Sequence, residues 1–184
     1  VTKWGSTFLG RLMTPVIIEI PDLWHEIADN GPDSLNGRSV NKNSFATGIL
    51  GELAVSQVLN GLNIPHTVEN TYDYDFLAEN IKIDVKSSNS RFPRVGGNNS
   101  AMLTDYLRNQ KCDAYVFASV CLTDNLVYVM GCCAKFWFWK TDCGQDYKAG
   151  EKISVRRIKE AARILKYRYL TSIYRLPLLL KALK

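Results

Sequence analysis

Asp75, Asp84 and Lys86 are the residues of this chain whose types and spacing invite chemistry. They lie in YDYDFLAENIKIDVKSS, Tyr72 to Ser88, which reads as two short strands burdened with charge. In KIDVK, Ile83 and Val85 alternate with Lys82, Asp84 and Lys86, so an extended backbone puts every charge on one face. Tyr74 and Phe76 likewise face away from Asp73 and Asp75. With Glu79-Asn80 as a two-residue turn, opposed residues have numbers that sum to 159. Asp75 then stands across from Asp84, and Asp73 across from Lys86. Opposed Cβ atoms in such a ladder are roughly 4.5–5.5 Å apart and like charges there repel, so the carboxylates need a neutraliser. Lys86 is one. A divalent cation is another, since Mg²⁺ takes carboxylate oxygens while retaining water. The plain alternative is a solvated hairpin face with an Asp73–Lys86 pair of little energetic consequence.

The elements that must position these residues follow from the flanking sequence. SFATGILGELAVSQVLNGLNI has helical spacing, with Phe45, Ile49, Leu53 and Val58 near one face and Asn60-Gly61 as a stop, which predicts a helix from about Ser44 to Leu59. Glu52 sits within it among apolar neighbours. Three β-type segments follow, at about 65–69, 72–78 and 81–87. SAMLTDYLRNQK predicts a short helix with Ser100 as N-cap, and AYVFASVCL and LVYVMG predict a hairpin turning at Thr123-Asp124-Asn125. Two Gly, Asn and Ser-rich stretches, Asp29 to Ser44 and Ser87 to Ser100, read as loops. The order α-β-β-β-α-β-β makes this an α/β (α+β) domain with a mixed sheet flanked by helices. One more helix is expected near Val155 to Leu170.

Together these pieces resemble the active-site signature of the PD-(D/E)XK nuclease superfamily: an acid at the start of one strand, then acidic-x-Lys on the next, preceded by a helix carrying a Glu. The matching residues are Asp75, Asp84-Val85-Lys86 inside IKIDVKSS, and Glu52 in GILGELAVSQVL. The pattern spans about Ser44 to Leu122, and Tyr74 stands where the family name has Pro. The resemblance implies a restriction-endonuclease-like αβββαβ core over about 44–131. It implies Mg²⁺ or Mn²⁺ held by Glu52, Asp75, Asp84 and the Val85 carbonyl, acidifying and orienting a water for in-line attack on a phosphodiester, with Lys86 on that water or on the phosphate. Small phage or mobile-element endonucleases of homing, restriction or resolvase type are the nearest in kind. RNA in place of DNA, or a non-catalytic nucleic-acid-binding or assembly module on the same scaffold, are the alternatives. Gln110 and Lys111 precede a core strand where some relatives carry an auxiliary polar residue.

Charge and composition bear on partners. The 184 residues suit one domain, and the formal charge of +5 is uneven: from Lys148 onward eleven Lys or Arg face two Glu, leaving the first 147 residues net acidic. A basic C-terminal extension, about 148–184, hints at a polyanionic partner. On a helix RRIKEAARILKYRYL would place Arg156, Lys159, Arg163 and Lys166 in a ridge opposite Ile158, Ala161, Ala162, Leu165 and Tyr169. Ser87, Arg91 and Arg94 follow the signature directly and are further candidates for phosphate contact. KFWFWK, Lys135 to Lys140, reads as core packing plus a dimer contact ahead of base stacking, and cleavage of both strands of a duplex would suit a homodimer. The five cysteines, without CxxC or HxxxH spacing for zinc, read as reduced, mostly buried thiols. With no apolar run near the ~20 residues of a membrane span and no long apolar leader, a cytoplasmic protein is expected.

Overall fold

A computed structural model describes residues 14–30, 34–35, 38–39, 42–69, 71–91, 99–153 and 156–184. In chain order the elements are β1 (Val16–Glu19), α1 (Asp22–Asp29), β2 (Ser34–Leu35), β3 (Arg38–Ser39), α2 (Lys42–Gly61), β4 (His66–Val68), β5 (Phe76–Ala78), β6 (Ile81–Asn89), β7 (Ser100–Thr104), β8 (Ala114–Cys121), β9 (Leu126–Ala134), α3 (Lys135–Lys140), β10 (Gly144–Tyr147), β11 (Lys152–Ile153), β12 (Arg156–Arg157), β13 (Ala162–Lys166) and α4 (Leu176–Leu183). Six strands form a mixed sheet in the order β1-β9-β8-β6-β5-β4, and β10-β13-β7 form a second, smaller one. Within the large sheet only β6 and β8 run parallel. The class is therefore mixed α and β, as the element order predicts.

Local signals explain the first half of the chain. Helix α2 ends at Gly61, within the expected Asn60-Gly61 stop, and the chain turns at Asn63, which adopts φ 53°; the Asn63 N–H bonds the Asn60 carbonyl and the Ile64 N–H reaches back to Leu59. These two bonds close the helix with Asn in the position that glycine most often fills. Glu79 and Asn80 take φ 50° and 70°, the mirror-image turn whose twist suits a two-residue hairpin. The register that follows pairs Phe76 with Ile83 and Ala78 with Ile81, as the sum rule requires. The β8–β9 hairpin is also as expected, except that β9 extends to Ala134 and a bulge opposite Phe117/Ala118 passes over Met130 beside Gly131, whose φ is 151°.

The two faces of the large sheet bury different cores. On one, Leu50, Ala54, Val55 and Leu59 of α2 and Leu176 and Leu180 of α4 pack on Ile83, Val85, Val116 and Val129. On the other, Tyr115, Phe117 and Met130 meet Phe138 of α3 together with Leu103 and Leu165 of the small sheet.

Two expected helices are absent. SAMLTDYLRNQK is strand β7 followed by a 3-10 turn, Asp105–Asn109, and the segment near 155–170 is β12, β13 and a 3-10 turn, Tyr167–Tyr169. Strand β13 is bonded on both sides, to β7 and to β10, and these distant ladder partners override a local pattern that also fits a helix. Arg163, assigned to an exposed ridge, is 5% exposed. Its guanidinium donates to the Phe138 and Thr141 carbonyls and pairs with Asp146 Oδ2 at 2.8 Å. The four basic residues thus share no helix face. No helix among the described residues is long and apolar enough to cross a membrane, and the five cysteines are unpaired, Cys143 alone being exposed.

Candidate active site

The site grows from a place where a ladder stops. Strand β5 pairs with β6 only as far as Phe76–Ile83, and the Asp75 N–H bonds the carbonyl of that same Ile83 at 2.9 Å, the mark of a β-bulge. Asp75 is thereby turned out of the ladder. Its carboxylate takes over the ladder's next bond, accepting from the Val85 N–H through Oδ2 at 2.6 Å. On the other side β6 is held by β8, with Asp84 in register with Tyr115 and Lys86 with Phe117. Asp84 is 4% exposed, and the Lys86 ammonium lies 2.6 Å from its Oδ2.

The fourth member comes from α2. Gly51 lets the helix lie directly on β6: a Cβ there would overlap Ser87 Oγ, come within 2.9 Å of Ser87 Cβ and touch Ala118 Cβ at 3.6 Å. This contact carries the adjacent Glu52 to the acid pair. Its pKa is pushed from 4.5 to about 8, first by burial and then by the charges of Asp75 and Asp84, with Lys86 opposing. Burial is also the leading cause that raises Asp75 and Asp84; the Val85 N–H and Lys86 hold Asp75 down, and Lys86 partly offsets the rise at Asp84, to which the charge of Asp75 adds. One ammonium faces three acids.

The oxygens here have unmet capacity. Asp84 Oδ2, close to Lys86 in distance, has no aligned hydrogen-bond donor, and Ser87 Oγ and Gln110 Oε1 are likewise buried without one. Buried acceptors in that condition suit a cation or an ordered water. Among the described residues no three His, Cys, Asp or Glu side chains converge as a preformed metal cage. A Mg²⁺ ion does not require one, because it keeps several waters and takes one or two carboxylates. Asp75 and Asp84 fit as its ligands, with Glu52 near enough to feel both charges.

Other expected residues fall as follows. Asp73 does not face Lys86: its Oδ1 accepts the Lys111 N–H at 3.0 Å, while the Gln110 amide donates to the Tyr72 carbonyl at 2.9 Å. Gln110 and Lys111 thus anchor the segment that leads into Asp75. Val85, expected through its carbonyl, meets the cluster through its N–H. Arg91 is exposed, and its carbonyl accepts from Thr123 Oγ1. Arg94 lies outside the described residues, and so does the side chain of Arg156. Lys159 and Lys166 are exposed, on a bend and at the end of β13, and belong to no common surface with Arg163.

Sequence reasoning missed Gly51 and Asp113. The first could have been suspected from a glycine one residue before a helical Glu in an otherwise well-packed helix. The second had no visible signal. Its carboxylate accepts the Lys82 N–H at 2.8 Å while its own N–H donates to the Lys82 carbonyl, which fixes the start of β8 beside the start of β6. Compared with models of known families, with curated proteins and with solved structures, the chain matches none.

Proposed function

We propose that the protein is a divalent-metal-dependent nuclease that hydrolyses phosphodiester bonds of DNA, built on a core of PD-(D/E)XK type. The observation that carries this reading is the grouping of Asp75, Asp84 and Lys86, with Glu52 near enough to feel their charges, where β5 parts from β6. A charged face that was merely solvated would not bury Asp84 or turn Asp75 inward. The order α2-β4-β5-β6-β8 agrees with such a core, although the crossover from β6 to β8 carries β7 and a 3-10 turn where the family pattern has a helix.

Bound by Asp75 and Asp84, Mg²⁺ or Mn²⁺ would acidify a water and offset charge on the phosphate. The chain's own groups have separate tasks. Lys86 supplies a fixed positive charge within reach of Asp84, placed to stabilise charge that develops on phosphate oxygens. Glu52, which burial and the neighbouring aspartates keep protonated near neutrality, would give up that proton when a cation joins the cluster and would then help Asp75 and Asp84 hold it. The Val85 N–H keeps the Asp75 carboxylate aimed into the cluster.

The test uses purified protein with supercoiled plasmid, linear duplex, branched DNA and RNA, in Mg²⁺, in Mn²⁺ and in EDTA, beside Asp84→Ala and Lys86→Ala. Metal-dependent cleavage of DNA, lost in both variants while their folds persist, is the expected result. Cleavage that survives EDTA, or that a folded Asp84→Ala protein retains, refutes the mechanism. Cleavage of RNA alone reassigns the substrate, and binding by all three proteins without cleavage returns the chain to the scaffold alternative.

A further inference from the structure

A groove of about 330 Å³ opens at the start of β8, and the metal chemistry makes no use of it. Its apolar lining comes from Phe136 and Trp139 of α3 and Leu183 of α4, and its cations are Arg108, Lys135 and Lys140. The run KFWFWK divides its aromatics by depth. Phe138 is fully buried in the core, Trp139 donates through Nε1 to the Tyr115 hydroxyl, and Phe136 stays 62% exposed. The Arg108 guanidinium lies 4.6 Å from the centre of the Trp139 ring and is shared with Asp105 and Asp146. Lys135 donates to the Gln110 carbonyl, whereas Lys140 is exposed.

The groove is joined to the site through β8. Cys112 and Asp113 line it; the Cys112 thiol lies in the fields of Asp84, Lys86 and Lys135, and Asp113 is bonded to Lys82. Because Tyr115 is in register with Asp84, strand rise and spacing put Cys112 on the order of 10 Å from Asp84. A step of one or two nucleotides covers that distance.

An exposed aromatic ring flanked by lysines is the pairing by which single strands are held without reading sequence, the ring stacking a base and the cations tracking the backbone. A duplex offers no free base face to such a ring. We propose that this groove is a subsite for one unpaired nucleotide of the substrate, its base on Phe136 and its phosphate toward Lys140 and Lys135. The enzyme would then favour single-stranded, tailed or branched DNA over continuous duplex. This rests on the nuclease reading, but binding can be read separately from cleavage.

The experiment measures binding of the full chain in EDTA by fluorescence anisotropy. The probes are a single-stranded oligonucleotide, a blunt duplex, and a duplex with a 3′ or 5′ tail carrying 2-aminopurine. Phe136→Ala should weaken single-stranded and tailed DNA by about fivefold to a hundredfold, leave the blunt duplex unchanged, and abolish the 2-aminopurine quenching that wild type produces. Phe136→Tyr should restore both. Equal loss on all three probes, no loss on any, or undiminished quenching in Phe136→Ala overturns the subsite. Cleavage in Mg²⁺ is scored on the same probes. Phe136-dependent binding by a protein that never cuts would sustain the groove and sink the nuclease reading, and cutting that is indifferent to Phe136 would do the reverse.

Discussion

Replacing Glu52 by Gln should make the metal-free protein more stable at pH 8 and leave it unable to cut DNA. The reason is the proton that Glu52 holds in the folded state, where burial and the neighbouring aspartates push its pKa from 4.5 to about 8. Below pH 4.5 both folded and unfolded chains carry that proton, and the residue costs nothing. Between 4.5 and about 8 the unfolded chain ionises while the folded one does not, so stability falls as pH rises. Above about 8 both are ionised and the full cost is present. At 1.36 kcal/mol per pH unit the interval corresponds to as much as about 5 kcal/mol. Solvent reaching a partly exposed side chain reduces this, and roughly 2–3 kcal/mol is the expected gain on removing the charge. For a chain of this length that raises Tm by roughly 5–10 °C. Calorimetry of wild type and Glu52→Gln in EDTA at pH 4.5 and pH 8 measures it. The gain should be near zero at the lower pH and full at the higher. A variant no more stable than wild type at pH 8, or one whose advantage persists unchanged at pH 4.5, would refute the account of a strained acid cluster.

Four further outcomes are expected. Lys86→Met should lower the rate of metal-dependent cleavage by about 10²–10³-fold with an unchanged fold by circular dichroism, and Asp84→Asn should cost at least as much. Titration of Mg²⁺ by isothermal calorimetry should release protons and tighten as pH rises from 6 to 8, because the cation displaces protons from Glu52 and the aspartates. Gly51→Ala should destabilise by about 1–3 kcal/mol in urea denaturation through overpacking on Ser87, and Ser87→Gly in the same chain should recover part of the loss. Arg163→Met should cost roughly 2–4 kcal/mol, since it strands the carbonyls of Phe138 and Thr141, yet leave the salt dependence of DNA binding as it was.

The hairpin at the site was legible because everything that fixes it is local. Alternation in IKIDVK sets the faces, Glu79-Asn80 sets the turn, and the two together set the register to the residue. What that reasoning could not supply is the bulge. It predicts Asp75 directly opposite Asp84, whereas Asp75 leaves the ladder and binds the Val85 N–H, a choice that depends on Gln110 and Lys111 anchoring Tyr72 and Asp73 from another part of the chain. The same limit explains β13. Ala161, Ala162 and Leu165 satisfy a helical stripe, and only the pairing of residues 162–166 with 100–104 and of 162–165 with 144–147 decides for a strand. Glu52 was legible as an acid in an apolar setting, but the contact that delivers it, Gly51 on Ser87, is made between elements.

The charge asymmetry of the sequence acquires a different meaning once these contacts are known. A net positive C-terminal segment suggests a surface that attracts phosphates, but charge counted along a chain is not charge presented to solvent. Arg163 is spent inside the fold on two carbonyls and Asp146, and it packs so closely on Gly144 that a Cβ there would meet its guanidinium at 2.7 Å. Lys184 is paired at the surface with Glu79. The cation beside the acid cluster comes from elsewhere, Lys86 on β6, and Arg108 on the 3-10 turn and Lys135 and Lys140 on α3 line the groove at the start of β8. A polyanion drawn to the molecule at long range by net charge would therefore find its short-range contacts along the line from the groove to Asp84. If the groove stacks a base and the acid pair takes a cation, as proposed, the order of those two features along that line is what a substrate with an unpaired end would use.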